Sequence, residues 1–222
     1  MGGFLTGSRA EALWSADTLS IPAQNPTCSV RTVVDDVRGD TRDYAQVEAS
    51  MAEFAPEVIF HLAAQSIVMR SYADPLTTYS TNVMGTVHVP EAVRKAPNVR
   101  AVVCITTDKV YHNQEWVWPY RETDALGGHG PYSTSKACAE LVCEAYRNSY
   151  FPIAELEKHQ VLVASVRAGN VIGRGDWSPY RLVPDLVLLK GCSLDRLSLP
   201  HPSISGIATM MHGRWNESPT RL

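Results

Sequence analysis

Tyr132 and Lys136 stand four positions apart behind Pro131. On a helix that spacing puts both side chains on one face, one turn apart. An ammonium beside a phenol favours the phenolate and lowers the tyrosine pKa from about 10, so the pair can take a proton from an alcohol near neutral pH. Alone, the spacing equally fits an ordinary helix surface. Some 25 residues upstream, the apolar run Ala101 to Thr106 ends in Thr107, Asp108 and Lys109, which bring a hydroxyl, a carboxyl and an amine together. A hydroxyl at the carboxyl end of a strand is where a doubly wound sheet meets its substrate. By itself, Thr-Asp-Lys also fits a solvated turn.

These groups need a scaffold, and the hydrophobic pattern specifies one. Val58 to Leu62, Ala101 to Thr106 and Val161 to Val166 are apolar on consecutive positions, as central parallel strands buried on both faces must be. Val30 to Val37 is a weaker strand run. The segments between have helical periodicity and crossover length, so the fold class is α/β, a doubly wound parallel sheet of Rossmann type. Asp43 is placed to cap a first helix whose Val47, Met51 and Phe54 recur on one side. A second helix is predicted from Leu76 to Lys95, with Pro90 inside it, where proline costs about 3 kcal/mol unless the helix kinks. The third starts at Pro131 and runs to about Tyr150, with Cys138, Leu141 and Ala145 as its expected apolar stripe.

Composition excludes several classes. The chain has 222 residues, 20 basic against 23 acidic, for a net charge of −3, and so lacks the positive field of a nucleic-acid binder. No run reaches the roughly 18 apolar residues of a membrane span, and the start lacks signal-peptide character, which points to a cytoplasmic protein. The five cysteines are an odd number without CxxC spacing, so reduced packing residues are expected and no metal site.

Taken together, the blocks GDTRD (39–43), HLAAQ (61–65), TNVMGT (81–86), TTDKVY (106–111), EWVWPYRETDALGGHGPYSTSK (115–136) and RAGNVIGRGDW (167–177) resemble the extended short-chain dehydrogenase/reductases. Within that superfamily of NAD-dependent epimerases and dehydratases, the segment Glu115-Trp116-Val117-Trp118 and the lysine after Thr-Asp resemble the CDP-glucose 4,6-dehydratases. The likeness runs from Gly39 to Asp185, roughly two-thirds of the chain. It implies a lyase of nucleotide-sugar and polysaccharide metabolism that recycles NAD internally, converting CDP-glucose to its 4-keto-6-deoxy product. Tyr132 would take the proton of the sugar 4-hydroxyl. Lys136 would tune Tyr132 and hold the nicotinamide ribose, and Thr107 would bond the same sugar oxygen. Asp108 would be the acid at the 6-hydroxyl and Lys109 the base at carbon 5. Asp40 would meet the adenine amino group, and Leu62, Ala63 and Gln65 would line the cofactor. Asn82 would order the site from the second helix, and His61 is structural. Asn170 and Arg181 would contact the substrate phosphates. Two copies would pair through the second and third helices.

The resemblance also sets expectations for the ends. No strand is legible before a glycine turn. Gly2, Gly3 and Gly7 are either a displaced remnant of the phosphate-binding turn or simply a flexible terminus. The expected organisation is an incomplete NAD-binding domain over 1–168 and a truncated substrate-binding region over 169–222. Two alternatives stand beside the dehydratase: an inactive remnant with weak or no NAD binding, and an epimerase or reductase of the same superfamily, which would need Tyr132, Lys136 and Thr107 but not Asp108 and Lys109.

Overall fold

The structure, a computed structural model, describes residues 10–14, 34–171 and 180. Gly2, Gly3, Gly7 and Arg181 lie outside the described residues. The chain divides into compact units Met1–Val171 and Ile172–Leu222, and every described strand and helix belongs to the first.

Two sets of parallel strands form it. β1 (Ala10–Trp14) pairs with β2 (Val34–Arg38), in register Ala10 to Val34. The second sheet has the order β3 (Val58–His61), β4 (Ala101–Thr107), β5 (Leu162–Ala168). β1 is not legible in the sequence: AEALW is too short to declare a period. The three strong apolar runs fold as strands, but only β4 has a partner on each side among the described residues. β5 buries one face only, leaving Leu162 and Val166 48% and 47% exposed, so the expectation that all three strands are central and buried on both faces is corrected.

The helices follow from local chemistry. α1 (Tyr44–Phe54) is capped by the Asp43 carboxylate, which accepts the Gln46 N–H at 3.2 Å, and it buries Val47 and Met51. The predicted second helix starts at Pro75 and is preceded by a separate turn of helix, α2 (Val68–Ala73). Its first part, α3 (Pro75–Tyr79), passes through a wide π turn, Ser80–Met84, into α4 (Gly85–Val93). α4 continues through Pro90, whose ring is fully buried in the core. α5 (Pro131–Ser149) carries Pro131 in its first turn, as expected. Its predicted stripe is reversed: Leu141 is 53% exposed and Ala145 is exposed, while Ser135, Lys136, Ala137, Ala139, Glu140 and Cys143 face inward. α6 (Leu156–His159) leads to β5.

The core joins Val47 and Met51 of α1, Val89, Ala92 and Val93 of α4, Ile59, Val102 and Cys104 of the sheet, and Cys143 of α5. Cys104, Cys138 and Cys143 are free thiols. No helix among the described residues is long and apolar enough to cross a membrane.

Candidate active site

β4 delivers the first catalytic candidates. Its last residues, Thr106 and Thr107, are buried, and the chain then tightens into a 3₁₀ turn, Asp108–Val110. The Thr107 hydroxyl donates to Asp108 Oδ1 at 3.0 Å and accepts the Lys109 N–H at 3.4 Å, a side-chain cap that fixes the turn. Asp108 and Lys109 are exposed and pair at 3.7 Å. They form an open acid and amine at the strand's carboxyl end.

α5 packs along both β4 and this turn. Gly128 makes the approach possible, since a Cβ there would lie 2.0 Å from Ser133 Cβ and 3.1 Å from the Lys109 carbonyl oxygen. Gly130, the N-cap, has no side chain to cap the helix. The Tyr132 N–H is instead accepted at 3.2 Å by the Oγ of Ser71, a fully buried residue of α2. Tyr132 is therefore held by a cap from another element.

Lys136 is only 5% exposed, and its ammonium donates to the Ile105 carbonyl oxygen at 2.8 Å. Burial lowers its pKa from 10.5 to about 8, against the attraction of Cys104, Cys143 and Glu140. Below that value the lysine is charged, with three N–H donors and one protein acceptor for them.

A buried polar network backs this face. Asn82, in the π turn, donates to the Gln65 carbonyl at 3.0 Å and to Ser135 Oγ at 2.9 Å, and accepts the Gln65 N–H at 2.8 Å. Ser135 Oγ in turn donates a hydrogen bond to the Tyr132 carbonyl oxygen at 2.7 Å. Gln65 donates to Thr78 and accepts the Ile67 N–H, so both ends of its side-chain amide are engaged in structure. Thr86 donates to the Asn82 carbonyl at 2.7 Å, which leaves His61 Nε2 as the donor in the 3.2 Å contact with Thr86 Oγ1. Burial and then the Lys136 charge lower the His61 pKa to about 3, so this ring is neutral and structural.

The sequence candidates thus divide. Thr107 ends β4, Asp108 and Lys109 form the turn that follows it, and Tyr132 and Lys136 stand on α5, which packs against both. Leu62 is 41% exposed and Ala63 buried just past β3. Asp40 is clasped by the Arg42 guanidinium at 2.9 and 3.0 Å, which holds its carboxyl below the usual value. Asn170 is exposed. Sequence reasoning missed Ser71, Glu140 and Arg167. Glu140 did carry a signal, since it lies four residues beyond Lys136 on the same helix face. Among the described residues no group of acidic, histidine and cysteine side chains could hold a metal.

Residues 7–155 match the family model described as GDP-mannose 4,6 dehydratase. The CDP-glucose 4,6-dehydratase of Salmonella typhimurium is 51% identical over 174 residues, covering 78% of this chain and 48% of that protein. A dTDP-glucose 4,6-dehydratase of Streptomyces antibioticus is 38% identical over 149 residues, or 67% of this chain and 40% of that one. The chain therefore spans about half the length of these curated relatives or less. Among solved structures, a dTDP-glucose 4,6-dehydratase from Streptomyces venezuelae with NAD and TYD bound superposes with a TM-score of 0.65 at 28% identity. That alignment covers 83% of this chain and 53% of that one.

Proposed function

The chain belongs to the GDP-mannose 4,6 dehydratase family, within the extended short-chain dehydrogenase/reductases, and from that membership we propose that it carries the catalytic centre of a CDP-glucose 4,6-dehydratase working in the cytoplasm. The observation that carries the reading is the packing of α5, with Tyr132 and Lys136, against the Thr107–Lys109 strand end. In this proposal 1–168 is the cofactor-binding part and 169–222 the beginning of the substrate-binding part. Pairing of two copies through α3, α4 and α5 belongs to the same reading, supported by the exposure of Leu76, Met84 and Leu141.

The residues present fit a nicotinamide dinucleotide. The Lys136 ammonium is deeply buried and has donors to spare for ribose hydroxyls. Small Ala63 and Ala64 follow the end of β3, where a backbone can approach a ligand closely. Asp40 keeps acceptor capacity for the adenine amino group beside Arg42. Held by Lys136, Asp40 and the Ala63 segment, NAD would supply the chemistry of a recycled hydride carrier between carbons 4 and 6 of the sugar.

The protein's own part is proton traffic. Tyr132, as phenolate beside Lys136, takes the 4-hydroxyl proton while Thr107 bonds the same oxygen. The resulting 4-ketone acidifies carbon 5. Asp108 and Lys109 rest as an ion pair holding one proton between them. Passing that proton from the ammonium to the carboxylate gives the competent form, a neutral amine and a carboxylic acid. The amine takes the carbon-5 proton, the acid gives its proton to the departing 6-hydroxyl, and water leaves. Lys109 then returns its proton to carbon 5. The proton that Tyr132 gained equals the one that Asp108 spent, so the cycle closes.

The test is to incubate purified protein with CDP-glucose and NAD, and to measure both bound cofactor and 4-keto product. Bound NAD with product is expected. Bound NAD without product overturns the dehydratase in favour of an epimerase or reductase, and no NAD binding favours the inactive remnant.

A further inference from the structure

The Glu115-Trp116-Val117-Trp118 segment and Arg167 are left unused by the proton chemistry, and the structure joins them. The chain between Asp108–Val110 and Pro131 leaves one catalytic element and returns to the other. Its stems are closed by the His112 N–H on the Ala125 carbonyl at 2.8 Å and the Gly127 N–H on the Val110 carbonyl at 2.8 Å. Inside the loop, Tyr120 lies flat on Tyr111, with centroids 4.9 Å apart and planes at 12°, and Trp116 leans on Tyr120 at 5.5 Å. The Tyr120 hydroxyl accepts the Gln114 N–H at 2.7 Å and donates to Asn113 at 3.2 Å. Glu115 takes a left-handed turn with φ of 52°, and Trp118 is left 72% exposed beside Trp116 at 47%.

One residue ties this stack to the framework. Arg167, near the end of β5, donates through Nη1 to the Tyr111 hydroxyl at 2.9 Å and the Glu122 carbonyl at 3.2 Å, with its guanidinium 4.9 Å from the Tyr111 ring centroid. Its other arm, Nη2, donates to Glu140 Oε2 at 3.2 Å. Glu140 also accepts Ser165 Oγ at 2.8 Å and a short bond from Thr106 Oγ1. Burial pushes the Glu140 carboxyl up, and these three donors outweigh it and hold it ionised. A single guanidinium fork thus spans β5, α5 and the aromatic loop, a geometry that a lysine point charge cannot copy.

We propose that Arg167 is a positioning residue for substrate binding, holding the Tyr111–Tyr120–Trp116 stack so that the tryptophan segment forms a wall against the sugar nucleotide at the carboxyl ends of β4 and β5. The occupant is that substrate, because both stems of the loop are the segments assigned to catalysis. The proposal rests on the dehydratase reading, and its test has one arm that does not. Tyr111→Phe cuts the bond to Arg167 while keeping the ring stack and the Arg167–Glu140 pair. Arg167→Lys is the second variant.

Trypsin cleavage after the exposed Arg121 is followed without substrate. Release of the anchor should raise the cleavage rate by about tenfold or more, the population shift expected for loss of one charge-assisted hydrogen bond. In steady-state kinetics the KM for CDP-glucose should rise by a similar factor in both variants, with kcat within about twofold of the parent, because a wall that binds substrate and transition state alike sets KM. Cleavage unchanged in both variants overturns the anchor. Faster cleavage with KM unchanged, or with kcat alone reduced, overturns the wall. A parent protein that binds NAD but makes no product defeats the dehydratase reading, while the cleavage arm still decides the anchor.

Discussion

Lys136→Met tests the burial of this lysine's ammonium through stability alone. The wild-type side chain is 5% exposed, and its pKa falls from an unfolded-state value of 10.5 to about 8, chiefly through burial. The folded protein therefore binds that proton less tightly than the unfolded chain. Below pH 8 both states carry the charge, and folding bears the full cost of burying it. Between pH 8 and 10.5 the folded state sheds the proton while the unfolded chain keeps it, so unfolding free energy rises with pH across that window. The gap between 10.5 and about 8 corresponds to about 3 kcal/mol. Methionine has a similar length and no charge. Wild type should therefore gain on Lys136→Met by up to about 3 kcal/mol between about pH 7 and pH 10, with most of the gain above about pH 8. Groups that do not face Lys136 are common to both proteins and cancel in the difference; Cys104 and Cys143, which its charge lowers, do not cancel fully, but that charge ranks below their mutual hydrogen bond and burial among the causes acting on them. Urea unfolding of the pair at half-unit pH intervals reads it directly. Two stability curves that stay parallel across that range would refute the buried-ammonium argument.

Other outcomes depend on single contacts. Ser71→Ala removes the cap on the Tyr132 N–H and should cost about 1 kcal/mol of stability, read as a lower urea midpoint. Gly128→Ala would drive a methyl into Ser133 Cβ and should cost more than about 2 kcal/mol, because neither that atom nor the Lys109 carbonyl can swing aside. A soluble protein with unchanged thermal midpoint would contradict the packing described. Asp108→Asn keeps the shape of the turn but cannot donate the acid proton. Product formation should fall by about 10²- to 10⁴-fold while deuterium is still removed from carbon 4 of labelled substrate, and unchanged turnover would defeat the role given to Asp108.

What the sequence discloses and what it hides have physical causes. The strand runs at Val58 and Ala101 are legible because a sheet covered by helices needs apolar residues on successive positions, and the run at Leu162 is legible from its β-branched residues although one of its faces is exposed. The Asp43 cap and the Pro131 helix start are legible because both are local backbone chemistry. The inward face of α5 reads backwards because the usual rule buries apolar side chains, whereas this helix turns Ser135, Lys136 and Glu140 inward and leaves Leu141 outside. Such polar residues can be buried only where partners from other elements await them. Those partners, Ile105, Asn82, Thr106 and Arg167, lie 27 or more positions away in the chain. The π turn at Ser80–Met84 is equally silent, since one extra residue in a helical turn leaves the composition unchanged.

The same polar helix explains how the site can be rigid without an apolar lining. Tyr132 is fixed through its backbone: Ser71 Oγ accepts from its N–H and the Ser135 hydroxyl donates to its carbonyl. Asn82 fixes Ser135 in turn, and because it also bonds both backbone groups of Gln65, a shift of the helix would have to break bonds in the β3 connection as well. On the far side, Glu140 holds Thr106 immediately before Thr107. Helix and strand end therefore move as one body. Breaking any one bond of such a buried chain strands a polar partner away from water, at a cost of about 1–3 kcal/mol, so folding itself sets how the Tyr132 turn meets the Thr107 strand end; in the proposed reaction that placement would precede substrate binding.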